Sequence, residues 1–189
     1  MSRLTVFLVA IVGIAIATAG IIYLTPPADK GDYPQRTSGA ALIGGPFELV
    51  MHDGSTVTNE TFKGELMLIY FGFTFCPDVC PTELQIMSNA LDLVGDDADQ
   101  VRPILISIDP ERDTVETMAQ YVSHFHPRMT GLTGTAEQIA TAARAYRVYY
   151  ERVEDPGSNA AYTMDHSSIV YLMDKEGQFI THFGPGTKP

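Results

Sequence analysis

The sequence predicts an α/β sandwich with a mixed central sheet, preceded by one N-terminal transmembrane helix. Three observations carry that prediction. Strand-type runs alternate with amphipathic helical runs beyond Ala41 and finish in a hairpin, the pattern of helices layered on a mixed sheet. The run LMLIYFGF, Leu66 to Phe73, is apolar almost throughout and does not alternate, as a central strand covered on both faces requires. Thr5 to Leu24 (TVFLVAIVGIAIATAGIIYL) is an uncharged stretch of twenty residues, long enough to cross a bilayer as a helix.

Arg3 precedes the apolar stretch and no basic cluster follows closely, so the positive-inside tendency keeps the N-terminus in the cytoplasm and exports the rest. Ala17-Thr18-Ala19 has the small-x-small form of a signal-peptidase site. The apolar run continues through Ile21, Ile22 and Leu24, however, which favours an uncleaved anchor. The segment is neither Arg-rich nor amphipathic, unlike a mitochondrial transit sequence. The expected location is therefore the cytoplasmic (inner) membrane, single-pass, with the domain facing the periplasm. Residues 1–25 read as the anchor, 26–40 as a linker bearing Pro26, Pro27, Gly31 and Pro34, and 41–189 as one globular domain. The formal charge of −11, with Arg3 the only charge before Asp29, leaves a strongly acidic domain that repels phosphate backbones and excludes nucleic acid as a partner.

The elements follow in order. Phe47–Met51 and Ser55–Val57 flank Asp53-Gly54, a hairpin signal. After the central strand and CPDVCP, the apolar residues Leu84, Met87, Ala90, Leu91 and Val94 recur at helical spacing, which predicts a helix from near Pro81 to Gly95. Val101–Ile108 reads as a second buried strand with Pro103 near its start. Asp113 with Glu116, and Thr135 with Gln138, have the spacing of capping boxes ahead of two further amphipathic helices. Ser167–Met173 and Gln178–Phe183 form the closing hairpin around Asp174–Gly177. A dithiol placed directly after a central strand, at the start of a helix, is the thioredoxin arrangement. That fold usually adds a closing helix after the last strand, so the expectation is either that the helix is absent or that the chain is shortened.

Cys76 and Cys80 are the two cysteines, separated by Pro77-Asp78-Val79. As a structural disulfide they would close a loop worth only ~2 kcal/mol in the chain-entropy model, a weak staple for a domain with its own core. A redox pair or a metal chelate uses the spacing better, and sequence alone leaves those two open. Cys80 is expected at the helix N-cap with Pro81 first and Glu83 third, where the helix dipole would lower its thiol pKa.

Two thiolates form an incomplete site for most metals, and imidazole is the natural addition. Of the five histidines, His52, His124, His126 and His182 read as surface or capping residues. His124 and His126 are two apart and face different sides of a helix. His166 opens a predicted strand whose preceding loop, in a thioredoxin-like layout, lies beside the cysteine turn. Two thiolates and one imidazole suit trigonal Cu(I) and can also hold Cu(II), whereas zinc wants a fourth ligand. Met87, Met118 and Met173 fall at core spacings, and Met164 reads as core or loop filling.

FGFTFCPDVCPTEL, SIDPERDT and Asp165-His166-Ser167, in that order from about Ala41 to the chain end, resemble the Sco/SenC family of copper-binding assembly factors. The resemblance implies one copper per chain, as Cu(I) or Cu(II), held by Cys76, Cys80 and His166. It implies delivery to the Cu-A centre of cytochrome c oxidase, with reduction of the target cysteines as a second role. The implied partners are the Cu-A-bearing subunit, a periplasmic copper donor or thioredoxin-like reductant, and the membrane through the anchor. Asp109, Pro110, Glu111, Arg112 and Asp113 match that family's loop, and here they read as turn and helix cap.

The main rival reading is an enzyme, a membrane-anchored thiol-disulfide oxidoreductase using Cys76 and Cys80 without stoichiometric metal. A peroxiredoxin-like peroxidase, prompted by Val79-Cys80-Pro81-Thr82-Glu83, would need a Thr where the chain has Pro77. A purely structural anchored domain with an incidental disulfide is the third.

Overall fold

The non-alternating run becomes β3 (Leu66–Gly72), and its neighbour β4 (Val101–Ser107) pairs with it in parallel over seven residue pairs. Ile69, Tyr70, Phe71, Ile104, Leu105 and Ile106 are all fully buried, so both faces of this pair are covered. The computed structural model describes residues 43–155 and 160–189. The predicted anchor, Thr5 to Leu24, and the linker lie outside the described residues. Among the described residues, no helix is long and apolar enough to cross a membrane.

The remaining elements are β1 (Glu48–Met51), β2 (Thr56–Thr58), α1 (Val79–Val94), α2 (Val115–Val122), β5 (Thr130–Thr133), α3 (Ala136–Ala145), β6 (Tyr150–Glu154), β7 (Tyr162–His166), β8 (Val170–Met173) and β9 (Phe179–Phe183). Short 3-10 turns span Asn59–Phe62 and Gly95–Gln100. The main sheet runs β2-β1-β5-β4-β3-β8-β9. Its β3, β4 and β5 are mutually parallel, while β1, β8 and β9 join antiparallel, which makes the sheet mixed. Helix α1 packs on β4, α2 on β5 and α3 on β1. Strands β6 and β7 form a separate antiparallel ribbon that opposes Tyr150 to His166. The thioredoxin-like α/β fold expected from the sequence is present.

Four local expectations need correction. Helix α1 starts at Val79 with Asp78 as N-cap, not at Pro81 with Cys80 as cap. Pro81 is tolerated as the third helical residue because the N–H it lacks belongs to the first turn, which has no intrahelical acceptor. The helix ends as predicted at Gly95, whose φ of 66° favours a residue without a side chain. Thr114 caps α2 by accepting from the Thr117 N–H, and Asp113 turns inward instead. Thr135 and Gln138 do form the predicted capping box on α3. The strand expected from Ser167 begins at Val170, and His166 closes β7 instead of opening β8.

Candidate metal centre

Three elements supply the predicted ligands. Cys76 lies in the turn leaving β3, Cys80 is the second residue of α1, and His166 is the last of β7. The fold brings them together: Cys80 Sγ is 3.6 Å from His166 Nε2, and Cys76 Sγ accepts the Cys80 backbone N–H at 3.4 Å. Both cysteines are thiols, Cys76 half-buried and Cys80 fully enclosed. A cleft of about 340 Å³ opens beside them, lined by Phe73, Cys76, Asp78, Met164, Asp165 and His166 among others. Met164, expected as filling, thus borders the centre. Among the described residues, no group of three or more His, Cys, Asp or Glu is arranged as a finished metal cage. The trio is adjacent but not closed around one point.

The two thiols are unequal, and not in the way the sequence suggested. Cys76 is drawn down to about 4, first because Cys80 donates a hydrogen bond to it and then through His166 and the Asp78 and Cys80 backbone N–H groups, with burial opposing. Cys80 is pushed up, first by its bond to Cys76 and then by burial. The sulfur that sits at the helix N-terminus as an acceptor is Cys76, although Cys80 is the residue inside the helix. The pair therefore shares one negative charge, carried by the more exposed sulfur.

His166 is held by its surroundings. Its ring packs edge-on against Tyr70 and Phe73, with centroids 6.0 and 5.9 Å away. Nδ1 lies 3.2 Å from the Ser167 carbonyl. A carbonyl only accepts, so Nδ1 donates to it, and Nε2 is the ring nitrogen turned toward the sulfurs. The other histidines have ordinary occupations: Nδ1 of His52 and of His126 accept from the backbone N–H of Gly131 and Arg128, and His182 stacks on Phe179.

Sequence reasoning missed how the SIDPERDT loop braces the centre. Asp113, fully buried, accepts from Ser107 Oγ and Thr74 Oγ1 at 2.6 Å each and from the Thr74 N–H at 3.2 Å. Burial pushes its carboxyl above the usual range. Arg112 pairs with Asp109 and lies over Tyr162 at 3.7 Å and Phe75 at 4.8 Å. The Tyr162 hydroxyl donates to Asp109 at 2.8 Å. The loop thus ties the cysteine turn to the ribbon that carries His166. Two acidic residues beside an apolar strand were the available signal.

Comparison with known proteins adds a family. The SCO1/SenC family model matches residues 35–189. The mitochondrial SCO1 homolog 1 of Arabidopsis thaliana is 46% identical over 149 residues, covering 78% of this chain and 44% of that protein. The mitochondrial SCO1 homolog of Homo sapiens is 46% identical over 155 residues, covering 79% of this chain and 50% of that one. The chain thus spans about half the length of these curated relatives. The copper-bound crystal structure of Arabidopsis thaliana ScoI superposes with a TM-score of 0.74 at 44% identity, covering 77% of this chain and 90% of that one.

Proposed function

The chain belongs to the SCO1/SenC family, and from that premise we propose that it is a copper-binding metallochaperone for the Cu-A centre of cytochrome c oxidase. One copper is its cargo, held by Cys76, Cys80 and His166. The observation that carries this reading is the convergence of two sulfurs and one imidazole nitrogen from separate elements, with Cys76 and His166 lining one cleft and Cys80 enclosed behind them. The set is soft enough for Cu(I) and has the imidazole that Cu(II) accepts. Cys76 already carries the charge that binding needs. Cys80 gives up its proton on loading, so copper uptake releases acid and is blocked by a Cys76–Cys80 disulfide.

The domain works from the periplasmic face of the inner membrane, with residues 1–25 as a single-pass anchor, 26–40 as a spacer and 41–189 as the copper-binding unit. Its partners are the Cu-A-bearing oxidase subunit, a periplasmic copper donor and a thioredoxin-like reductant. A second role, reduction of the target's cysteines, is supported by the asymmetry of the pair: a half-exposed sulfur drawn down to about 4 can attack, and a buried thiol beside it can resolve the mixed disulfide.

The deciding experiment is copper titration of the reduced protein, parent against His166→Ala, with thermal unfolding of both metal-free forms. Stoichiometric binding by the parent and its loss in a folded variant is the expected result. A folded His166→Ala that binds copper as tightly as the parent sinks the three-ligand site.

A further inference from the structure

Tyr70 has no part in the ligand set, yet it touches two of its members. It is fully buried on β3, its hydroxyl donates to Cys80 Sγ at 3.8 Å, and its ring meets His166 edge-on. Ser168, two residues past His166, makes a side-chain hydrogen bond to the same hydroxyl. Gly72 provides the room. A Cβ there would stand 2.8 Å from Tyr70 Cε1 and 3.0 Å from Cys80 Sγ, so any larger residue would wedge ring and sulfur apart. The result is a directed relay, Ser168 to Tyr70 to Cys80 to Cys76, which crosses from the segment after β7 through β3 to the charged sulfur.

We propose that Tyr70 is a positioning residue that holds Cys76 and Cys80 in the dithiol state, by donating its hydroxyl to Cys80 Sγ. The proposal rests on the reading of these cysteines as the reactive pair. Oxidation by a small-molecule disulfide forms the Cys76–Cys80 S–S bond and breaks that of the oxidant. Two electrons pass to the oxidant, which leaves as two thiols, one protonated from Cys80 and one from solvent. In the product, Cys80 Sγ is bonded to Cys76 and is a poorer acceptor, so the hydroxyl's bond is weakened on that side of the equilibrium alone. A phenol hydroxyl keeps its proton at neutral pH and so stays a donor. The reduced pair is the form that can take up copper, and so Tyr70 guards readiness for the cargo without contacting it.

The test is equilibration of the full metal-free chain with mixtures of reduced and oxidised glutathione, for the parent, Tyr70→Phe and Ser168→Ala. The disulfide fraction is read by thiol alkylation and mass, and thermal unfolding of each reduced form monitors the fold. Tyr70→Phe should raise the oxidation constant about tenfold, which is about 30 mV toward more negative potential. Ser168→Ala should move it in the same direction by less. A purely structural tyrosine would change the unfolding temperature and leave the constant alone. A folded Tyr70→Phe within twofold of the parent, or shifted the other way, overturns the proposal. Should Tyr70→Phe not fold, an unchanged constant in Ser168→Ala overturns it. A parent that forms no intramolecular disulfide at any glutathione ratio overturns instead the reading of the cysteines as a reactive pair.

Discussion

Replacing Asp113 with Ala removes the acceptor of three donors at once, one on buried Ser107 and two on half-buried Thr74. Two are hydroxyls, Thr74 Oγ1 and Ser107 Oγ, and the third is the Thr74 backbone N–H. A buried donor left unsatisfied costs about 1–3 kcal/mol, but hydroxyls can turn to new acceptors and the backbone N–H cannot. The net loss expected is therefore about 3–5 kcal/mol, a large share of a small domain's stability. Asp113→Asn keeps one accepting oxygen and should lose about half as much. Denaturant unfolding of the reduced, metal-free protein measures both. The pH dependence has a definite sign. The folded-state pKa of Asp113 is raised by burial, so the folded chain takes up this proton at a higher pH than the unfolded chain. Stability from this group therefore grows as pH falls through the folded value and is complete below the unfolded one. The gap between parent and Asp113→Ala should widen on acidification through that window. A loss below about 1 kcal/mol, or a gap that narrows, would refute the view that this carboxyl organises the cysteine turn.

Three further outcomes are expected. Iodoacetamide should label Cys76 well ahead of Cys80, and its rate should hold nearly level down to about pH 5, because that thiol is drawn down to about 4; peptide mass spectra showing Cys80 modified first would contradict this. Gly72→Ala should cost about 1–3 kcal/mol in denaturant unfolding, since the new methyl meets Tyr70 and Cys80 at contact distances no relaxed core has, and an unchanged midpoint would mean the strand yields freely. Glu65 joins Arg102 and Arg128 at 2.9 Å each, yet its side chain is 31% exposed, so Glu65→Gln should cost under about 1 kcal/mol and less in high salt. The Arg102 bond lowers the Glu65 pKa, so this contribution is present above the unfolded value and lost as pH falls through the folded one. A deficit in Glu65→Gln that persists in strong acid would refute the ion-pair account.

The long, strongly patterned segments were legible: LMLIYFGF and VRPILISI could only be buried strands, and the apolar spacing of Leu84, Met87 and Leu91 could only be a packed helix. The parts that escaped were short or unpatterned. Strand β5 is Thr-Gly-Leu-Thr, buried at every position, too short to show a period and interrupted by a glycine, so little announces it. Strand β6 is exposed along most of its length and resembles a polar loop. Asp113 and Glu116 have the right spacing for a cap, but Thr114 and Thr117 have it too, and only the donors at Thr74 and Ser107 decide between them. The cysteine spacing and the choice of His166 among the histidines picked out three side chains that the fold brings near one another, although His166 closes β7 where it was expected to open β8. Which sulfur bears the charge was not readable, because the helix dipole acts on both. The choice is made by the bond between the two sulfurs and by the core enclosing Cys80, whose contacts are remote in sequence.

The ribbon carrying His166 stands apart from the seven-stranded sheet. Cys76 and Cys80 are anchored where the chain leaves β3, and His166 rides on a unit held at its base by the Arg112 and Tyr162 stack. Such a unit can open sub-globally, at a free energy well below that of unfolding the sheet, and its amides should exchange with solvent earlier than those of β3 and β4. With copper held as proposed, hinging the ribbon would withdraw His166 and leave the two sulfurs holding the cargo alone. For the proposed site, the topology would separate grip from release: the dithiol would keep hold of the ion, and the ribbon would set when a competing ligand can reach it.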